Sequence, residues 1–318
     1  MKSVAVIGTG AVGGYYGIML ERSGLDVHFL LNSDYKRVKE HGLILETAEK
    51  TIKLQPVNAW NSPNEMPECD LVLITLKATF NHLLAEYIPK VCHSKSKILV
   101  LQNGLDTDKD AAEAVPENEI FGGLCSIACN KIGPGHIRHI NFNEIRMGQY
   151  LRNNLPAGIT ESLEELSQLF NKAGVDTVLS ENITEARWRK IVWNITFNGL
   201  TTVLDCTTKE IMENPDYRKR AIKILNEAVS AANSCGMNIE MEFVDRMVQL
   251  TDSMNPYKPS MKLDFENNRP LELEVIYQRP IDFALKNGCN IPEIEKLFRE
   301  LIELENKKGR RTDGHTHR

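Results

Sequence analysis

Apolar and polar positions change rhythm along this chain. In the first half, short apolar runs alternate with amphipathic segments, the pattern of a parallel sheet flanked by helices. Ser3-Val4-Ala5-Val6-Ile7 is such a run, as are Asp26-Val27-His28-Phe29-Leu30-Leu31, Cys69-Asp70-Leu71-Val72-Leu73-Ile74-Thr75 and Lys97-Ile98-Leu99-Val100-Leu101. Residues 120–129 predict another strand, and the imperfect alternation over 135–150 predicts a hairpin at the sheet edge. A helix is predicted from Asp34 and a hairpin-like stretch over 43–57. Residues 160–172 have helical periodicity, with Gly174 placed to end the helix.

Near Ser180 the texture shifts to long helical patterns without a convincing strand. Residues 221–234 and 243–254 carry apolar positions at three- and four-residue spacing. Residues 271–286 read as a helix kinked at Pro280 and closed by Gly288. The polar, basic tail 306–318 is expected to fray. A length of 318 residues favours two domains, here 1–180 and 181–318. The cleft between two such domains is the default substrate site.

The first strand runs directly into Gly8-Thr9-Gly10-Ala11-Val12-Gly13. Strand before, helix after and a second strand at Asp26 make this a dinucleotide fingerprint rather than a glycine-rich turn. Gly8 allows the tight turn, Gly10 a close approach to a pyrophosphate, and Gly13 close helix–strand packing. The helix N-terminus then faces the phosphates with unpaired N–H groups. The fold class is therefore α/β: an N-terminal Rossmann-type dinucleotide-binding domain plus an all-α C-terminal domain.

Composition narrows the partners. A net charge of −5 gives no support to nucleic-acid binding or to an anionic membrane surface. No apolar stretch approaches the ~20 residues that span a bilayer. Met1-Lys2 leaves no room for a signal peptide before the first strand. Seven cysteines without paired short spacings read as reduced thiols, and Cys125 with Cys129 makes a poor zinc motif, so no metal site is expected. The cytoplasm is the expected compartment. A homodimer is compatible with the sequence, which does not settle the oligomeric state.

Candidate chemistry lies in Arg187-Trp188-Arg189-Lys190-Ile191-Val192-Trp193-Asn194-Ile195-Thr196-Phe197-Asn198. As a helix this segment is apolar around most of its circumference, so it should be buried. Lys190, Asn194 and Asn198 fall at four-residue steps and form one polar stripe. Two unpaired buried amides would cost about 1–3 kcal/mol each, so they must be satisfied by core hydrogen bonds or by a polar substrate. A lysine desolvated there could deliver a proton near neutrality. Leu76-Lys77-Ala78 and Gln102-Asn103-Gly104 follow strands at the sheet end where such folds bind ligands. Read by themselves, Ser260 is a helix cap and Glu272 a surface carboxylate at a helix start.

Taken in order and spacing, these pieces resemble the ketopantoate reductase (2-dehydropantoate 2-reductase) family over nearly the whole chain. The matching set is Gly8-Thr9-Gly10-Ala11-Val12-Gly13, Thr75-Leu76-Lys77, Gln102-Asn103-Gly104, Pro134-Gly135, Trp188-Arg189-Lys190 with Asn194 and Asn198, and Ser260-Met261 followed by Glu272. The resemblance implies NADPH-dependent reduction of 2-dehydropantoate to (R)-pantoate, on the route to pantothenate and coenzyme A. It implies Lys190 as proton donor and Glu272 beside it and the nicotinamide ribose. Lys77 and Asn103 would contact cofactor, Asn103 also substrate, and Cys129 would touch cofactor through its backbone. Asn194, Asn198 and Ser260 would hold the substrate with Lys190.

Several positions depart from the family pattern. Asn32-Ser33 stands where an arginine is frequent. Asn32 is nonetheless the cofactor-facing position, and no acid selects NAD there. Ser33, Lys36 or Arg37 could hold a 2′-phosphate, which Asp34 would oppose. Thr207-Thr208-Lys209 replaces Pro-Asn-Gly, Tyr277-Gln278 replaces Asn-Gly, and Asp106 replaces a glycine. These changes leave open a paralogue acting on another branched 2-oxo acid, and a non-catalytic NADP(H)-binding sensor is the alternative of a different class.

Overall fold

The computed structural model describes residues 1–313, which divide into two compact units, Met1–Ala186 and the described residues from Arg187 onward. In the first unit, ten strands form one mixed sheet. They are β1 (Ser3–Ile7), β2 (Asp26–Leu30), β3 (Leu43–Glu46), β4 (Thr51–Leu54), β5 (Asn58–Trp60), β6 (Cys69–Ile74), β7 (Cys92–Val100), β8 (Glu119–Gly133), β9 (His136–Tyr150) and β10 (Asp176–Leu179). The spatial order is β4-β3-β9-β8-β7-β6-β1-β2-β5, with β10 also on β9. Strands β5-β2-β1-β6-β7-β8 are parallel, and the order turns around between β1 and β6. That is the switch point where doubly wound sheets bind ligands.

The central strands are apolar throughout because both sheet faces are covered. Val4 and Val6 of β1 enter one core with Leu71 and Leu73 of β6. Ala5 and Ile7 enter the other with Val72 and Ile74. Helices α1 (Ala11–Arg22) and α2 (Tyr35–His41) follow β1 and β2. Helices α3 (Leu84–Val91), α4 (Thr107–Ala114) and α5 (Glu161–Lys172) complete this layer arrangement. Thr160 caps α5, its hydroxyl accepting from the Leu163 N–H, and Gly174 beyond it adopts φ +78°.

One sequence expectation for this unit changes. Residues 135–150 are not an edge hairpin: β9 is one long strand paired antiparallel with β8 and flanked on its other side by β3 and β10. Its exposed arm breaks the alternation that a half-buried strand would show. The short strands β5 and β10, of three and four residues, carry too little pattern to be read from sequence. Residues 43–57 do form the expected antiparallel pair, β3 with β4.

Helix α6 (Ile183–Val203) contains the boundary between the units, which falls at 186/187 rather than 180/181. The second unit continues with α7 (Thr208–Glu213), α8 (Pro215–Ser234), α9 (Glu242–Ser253), α10 (Ser260–Glu266), α11 (Arg279–Lys286) and α12 (Pro292–Asp313). Helix α8 packs on α7, α9, α11 and α12. No strand occurs in this unit among the described residues.

The helix expected over 271–286 forms over 273–286, but it opens with a wide π-helical turn, Glu274–Gln278, that runs directly into α11, which carries Pro280. The tail does not fray from 306, since α12 continues to Asp313; the remainder of that expectation, 314–318, lies outside the described residues. No described helix is long and apolar enough to cross a membrane.

Candidate active site

In the first unit, the dinucleotide loop is held by its neighbours at the switch point. Gly8 has φ +101°, and a Cβ there would lie 2.5 Å from the Leu76 backbone nitrogen. The Thr75 hydroxyl donates to the carbonyls of Ile7 (3.1 Å) and Gly8 (2.7 Å), and the Thr9 hydroxyl donates to Leu30 O (2.9 Å). A Cβ at Gly13 would collide with Gly8 O and the Thr75 hydroxyl, so β1, α1 and the end of β6 pack backbone to backbone.

Gly10 differs from both. It is the N-cap of α1 with no side-chain cap, and a Cβ on it would meet nothing within 4 Å. The first turn of α1 therefore presents N–H groups past an open space, which fits a pyrophosphate. Thr9 was expected to bind cofactor as part of the glycine loop, whereas Thr75 was not singled out from the sequence as functional. Thr75 could have been, because it opens the Thr-Leu-Lys piece.

Lys77 and Asn103 are half-buried on loops after β6 and β7. Gln102 ties those loops together, its amide donating to Leu76 O (2.9 Å) and to Asn81 Oδ1 (2.7 Å). Asp106 adopts φ +58° ahead of α4. This left-handed position suits glycine, and aspartate is among the few side chains that tolerate it. Cys129 lies on β8 opposite His139, and burial pushes its thiol up to about 12. The thiol therefore stays neutral, leaving backbone or apolar contact as its available roles.

Beyond β2, Asn32, Ser33, Lys36 and Arg37 are exposed, whereas Asp34 is 5% exposed. Asp34 Oδ2 accepts from Lys131 Nζ (2.7 Å) and from the Gly135 N–H (2.8 Å). Burial raises the Asp34 carboxyl, but Lys131, the Gly135 N–H and Ser33 outweigh it and hold it below its ordinary value. The charge expected to oppose a 2′-phosphate is already neutralised.

In the second unit, α6 carries the polar stripe. Asn194 and Asn198 are 8% and 3% exposed, and Lys190 is half-buried rather than fully desolvated. The helix satisfies its other polar groups internally: the hydroxyls of Thr196, Thr201 and Thr202 donate to the carbonyls of Val192, Phe197 and Asn198. Trp193 donates to Thr251 Oγ1 (3.1 Å), and Arg189 forks onto Glu240 Oε2 at 3.1–3.2 Å. Trp193 and Arg189, four residues apart on one face, thus anchor the helix on α9 and the segment before it.

Ser260 is not a helix cap: Pro259 holds that position, and Ser260 is the first residue of α10. Proline cannot cap through a side chain, which leaves the Ser260 hydroxyl for other partners. Helix α10 is pinned by buried Lys262, which pairs with Asp205 and with Glu266 (3.4 Å). Glu272 is 5% exposed, against the reading as a surface carboxylate. Thr207 forms a reciprocal capping box with Glu210, and the Thr208 N–H donates to Tyr257 O (3.0 Å). The segment replacing Pro-Asn-Gly therefore has structural work of its own. Among the described residues no cluster of His, Cys, Asp or Glu could hold a metal ion.

A fingerprint loop at the switch point, with a lysine–asparagine stripe in a separate helical unit, defines a two-domain oxidoreductase of Rossmann type. The profile of the ketopantoate reductase PanE/ApbA family matches residues 4–152, and that of its C-terminal domain matches residues 182–305. A 2-dehydropantoate 2-reductase from Nostoc sp. is 40% identical over 306 residues, covering 96% of each chain. The crystal structure of 2-dehydropantoate 2-reductase from Geobacter metallireducens aligns with TM-score 0.89 and 35% identity, over 95% of this chain and 99% of that one. A ternary structure of D-mandelate dehydrogenase with NADH and anilino(oxo)acetate shares the fold (TM-score 0.85, 23% identity, 96% of this chain and 99% of that one). This chain belongs to the ketopantoate reductase family.

Proposed function

We propose that this chain is an NADPH-dependent 2-dehydropantoate 2-reductase, forming (R)-pantoate for pantothenate and coenzyme A synthesis in the cytoplasm. The observation that carries this reading is the α6 stripe, in which Lys190 shares one face with buried Asn194 and Asn198. Bound NADPH supplies the hydride that adds to the C2 ketone. As charge builds on the C2 oxygen, the Lys190 ammonium stabilises it and then donates the proton. Asn194, Asn198 and Ser260 hold the hydroxyl and carboxylate groups of the substrate, and Glu272 supports the ammonium form of Lys190.

The loops after β1, β6 and β7 hold the cofactor through Gly8, Thr9, Gly10, Ala11, Val12, Gly13, Lys77 and Asn103. Asn32 faces the adenosine ribose. Support for NADPH over NADH comes from exposed Ser33, Lys36 and Arg37 and from the neutralised Asp34.

Absorbance at 340 nm, followed with NADPH or NADH against 2-dehydropantoate, ketoisovalerate and pyruvate, tests the reading. At least tenfold higher kcat/KM for 2-dehydropantoate is expected, about 1.4 kcal/mol of transition-state discrimination. A better branched 2-oxo acid would make the chain a paralogue. NADPH binding without oxidation by any 2-oxo acid would make it a sensor.

A further inference from the structure

We infer that Tyr277 is a positioning residue that sets the geometry of the α6 stripe, a role resting on the function proposed above. Its ring is fully buried and stacks on Phe298 with centroids 6.0 Å apart and planes 7° from parallel. Its hydroxyl donates to Ile195 O at 2.7 Å, the carbonyl that faces the Gly199 N–H, and lies against Gly199. In a plain α-helix those two backbone groups, four residues apart, are each other's partners. The phenol therefore adds a donor to one rung of the helix, Ile195–Gly199, which adjoins the Asn194–Asn198 step.

Both sides of the contact are adapted to it. A Cβ at Gly199 would run into the Tyr277 hydroxyl and lie 2.7 Å from Leu297, so only glycine leaves the space. On the other side, Tyr277 belongs to the π-helical turn Glu274–Gln278, which begins two residues after Glu272. Wide turns of this kind are uncommon and are frequent at functional sites. One side chain thus connects the segment carrying Glu272 to the rung that adjoins the two asparagines. A site of this type tolerates little displacement, since misplacement by about 1 Å can cost a hundredfold in rate. Tyrosine stands here where the family pattern has asparagine, so the device is a property of this chain.

Tyr277→Phe removes a single oxygen and keeps the ring on Phe298. With wild-type turnover of 2-dehydropantoate as reference, this variant should lose about tenfold in kcat while NADPH affinity stays within twofold. Deuterium exchange over residues 195–199 should be faster in it. Phe298→Leu, which loosens the same packing but leaves the hydroxyl, should keep kcat within twofold. Gly199→Ala, which crowds the hydroxyl off the rung, should reproduce the tenfold loss even if Tyr277→Phe does not fold. Unchanged kcat in Tyr277→Phe, or an equal loss in Phe298→Leu, would overturn the inference. If the wild type reduces no 2-oxo acid, the proposed function fails separately; unaltered exchange at 195–199 in Tyr277→Phe would then still overturn the helix-rung role.

Discussion

Two alanine substitutions in the glycine loop separate what holds the fold from what receives the cofactor. At Gly8 the added methyl meets backbone, Leu76 N at 2.5 Å and Thr75 C at 2.8 Å, in a left-handed conformation at φ +101°. Backbone atoms cannot rotate away as a side chain can. Conformational strain of about 1–2 kcal/mol adds to overpacking of about 1–3 kcal/mol. A loss of ~2–5 kcal/mol lowers Tm by about 4–20 °C in a domain of this size. At Gly10 the backbone is extended and the methyl enters empty space, so stability should hold or rise slightly. That same space is where the pyrophosphate of the proposed cofactor would approach α1. Gly10→Ala should therefore weaken NADPH binding at least tenfold, about 1.4 kcal/mol, at unchanged Tm. Calorimetric titration and thermal melts on both variants decide the matter. Wild-type NADPH affinity in Gly10→Ala, or an unshifted melt in Gly8→Ala, would refute the reasoning.

Further outcomes follow from other contacts. Lys190→Ala should lose on the order of 10²–10⁴ in turnover with modest change in NADPH affinity, and near-normal turnover would remove its role as proton donor. Lys131→Ala uncovers the Asp34 charge beside the proposed 2′-phosphate region, so NADPH affinity relative to NADH should fall about fivefold, on the order of 1 kcal/mol; an unaltered ratio in parallel titrations contradicts this. Burial, with Asp26 nearby, raises the half-buried Glu21 carboxyl from 4.5 to about 7. The folded state then binds more protons than the unfolded one between those values, so stability falls as pH rises through that window. Glu21→Gln should be more stable than wild type at pH 8 by about 1 kcal/mol after solvent screening, and the advantage should vanish near pH 4.5 in paired melts.

What could be read from the sequence shares a physical cause: it was local or periodic. The central strands announce themselves because burial on both faces forces continuous apolar runs, as in Val4–Ile7 and Leu71–Ile74. The glycine loop is legible because each glycine answers to a local constraint. The Lys190–Asn194–Asn198 stripe is legible because helical spacing puts polar groups in an apolar helix. Ser260 was misread because the serine reads as a cap, whereas Pro259 occupies that position. Glu272 was misread because a carboxylate at a helix start looks solvated until tertiary packing covers it.

The departures from the family pattern show most clearly where local reading stops. Asp106 for glycine is explained by a backbone angle, and Thr207-Thr208 by a cap and a pairing with Tyr257. Each could be argued from residue type once the conformation is seen. Tyr277 could not, because its meaning lies in Ile195 and Gly199, some eighty residues earlier. From sequence the segment offers only Pro280, which suggests a kink, while the structure has a π turn that directs a phenol into another helix. Substitutions at family positions in this chain are thus compensated through long-range contacts near the candidate catalytic residues. Exchanging Tyr277 for the family's asparagine alone would leave the Gly199 space unfilled and the rung without its hydroxyl, so the pair must be treated as one unit.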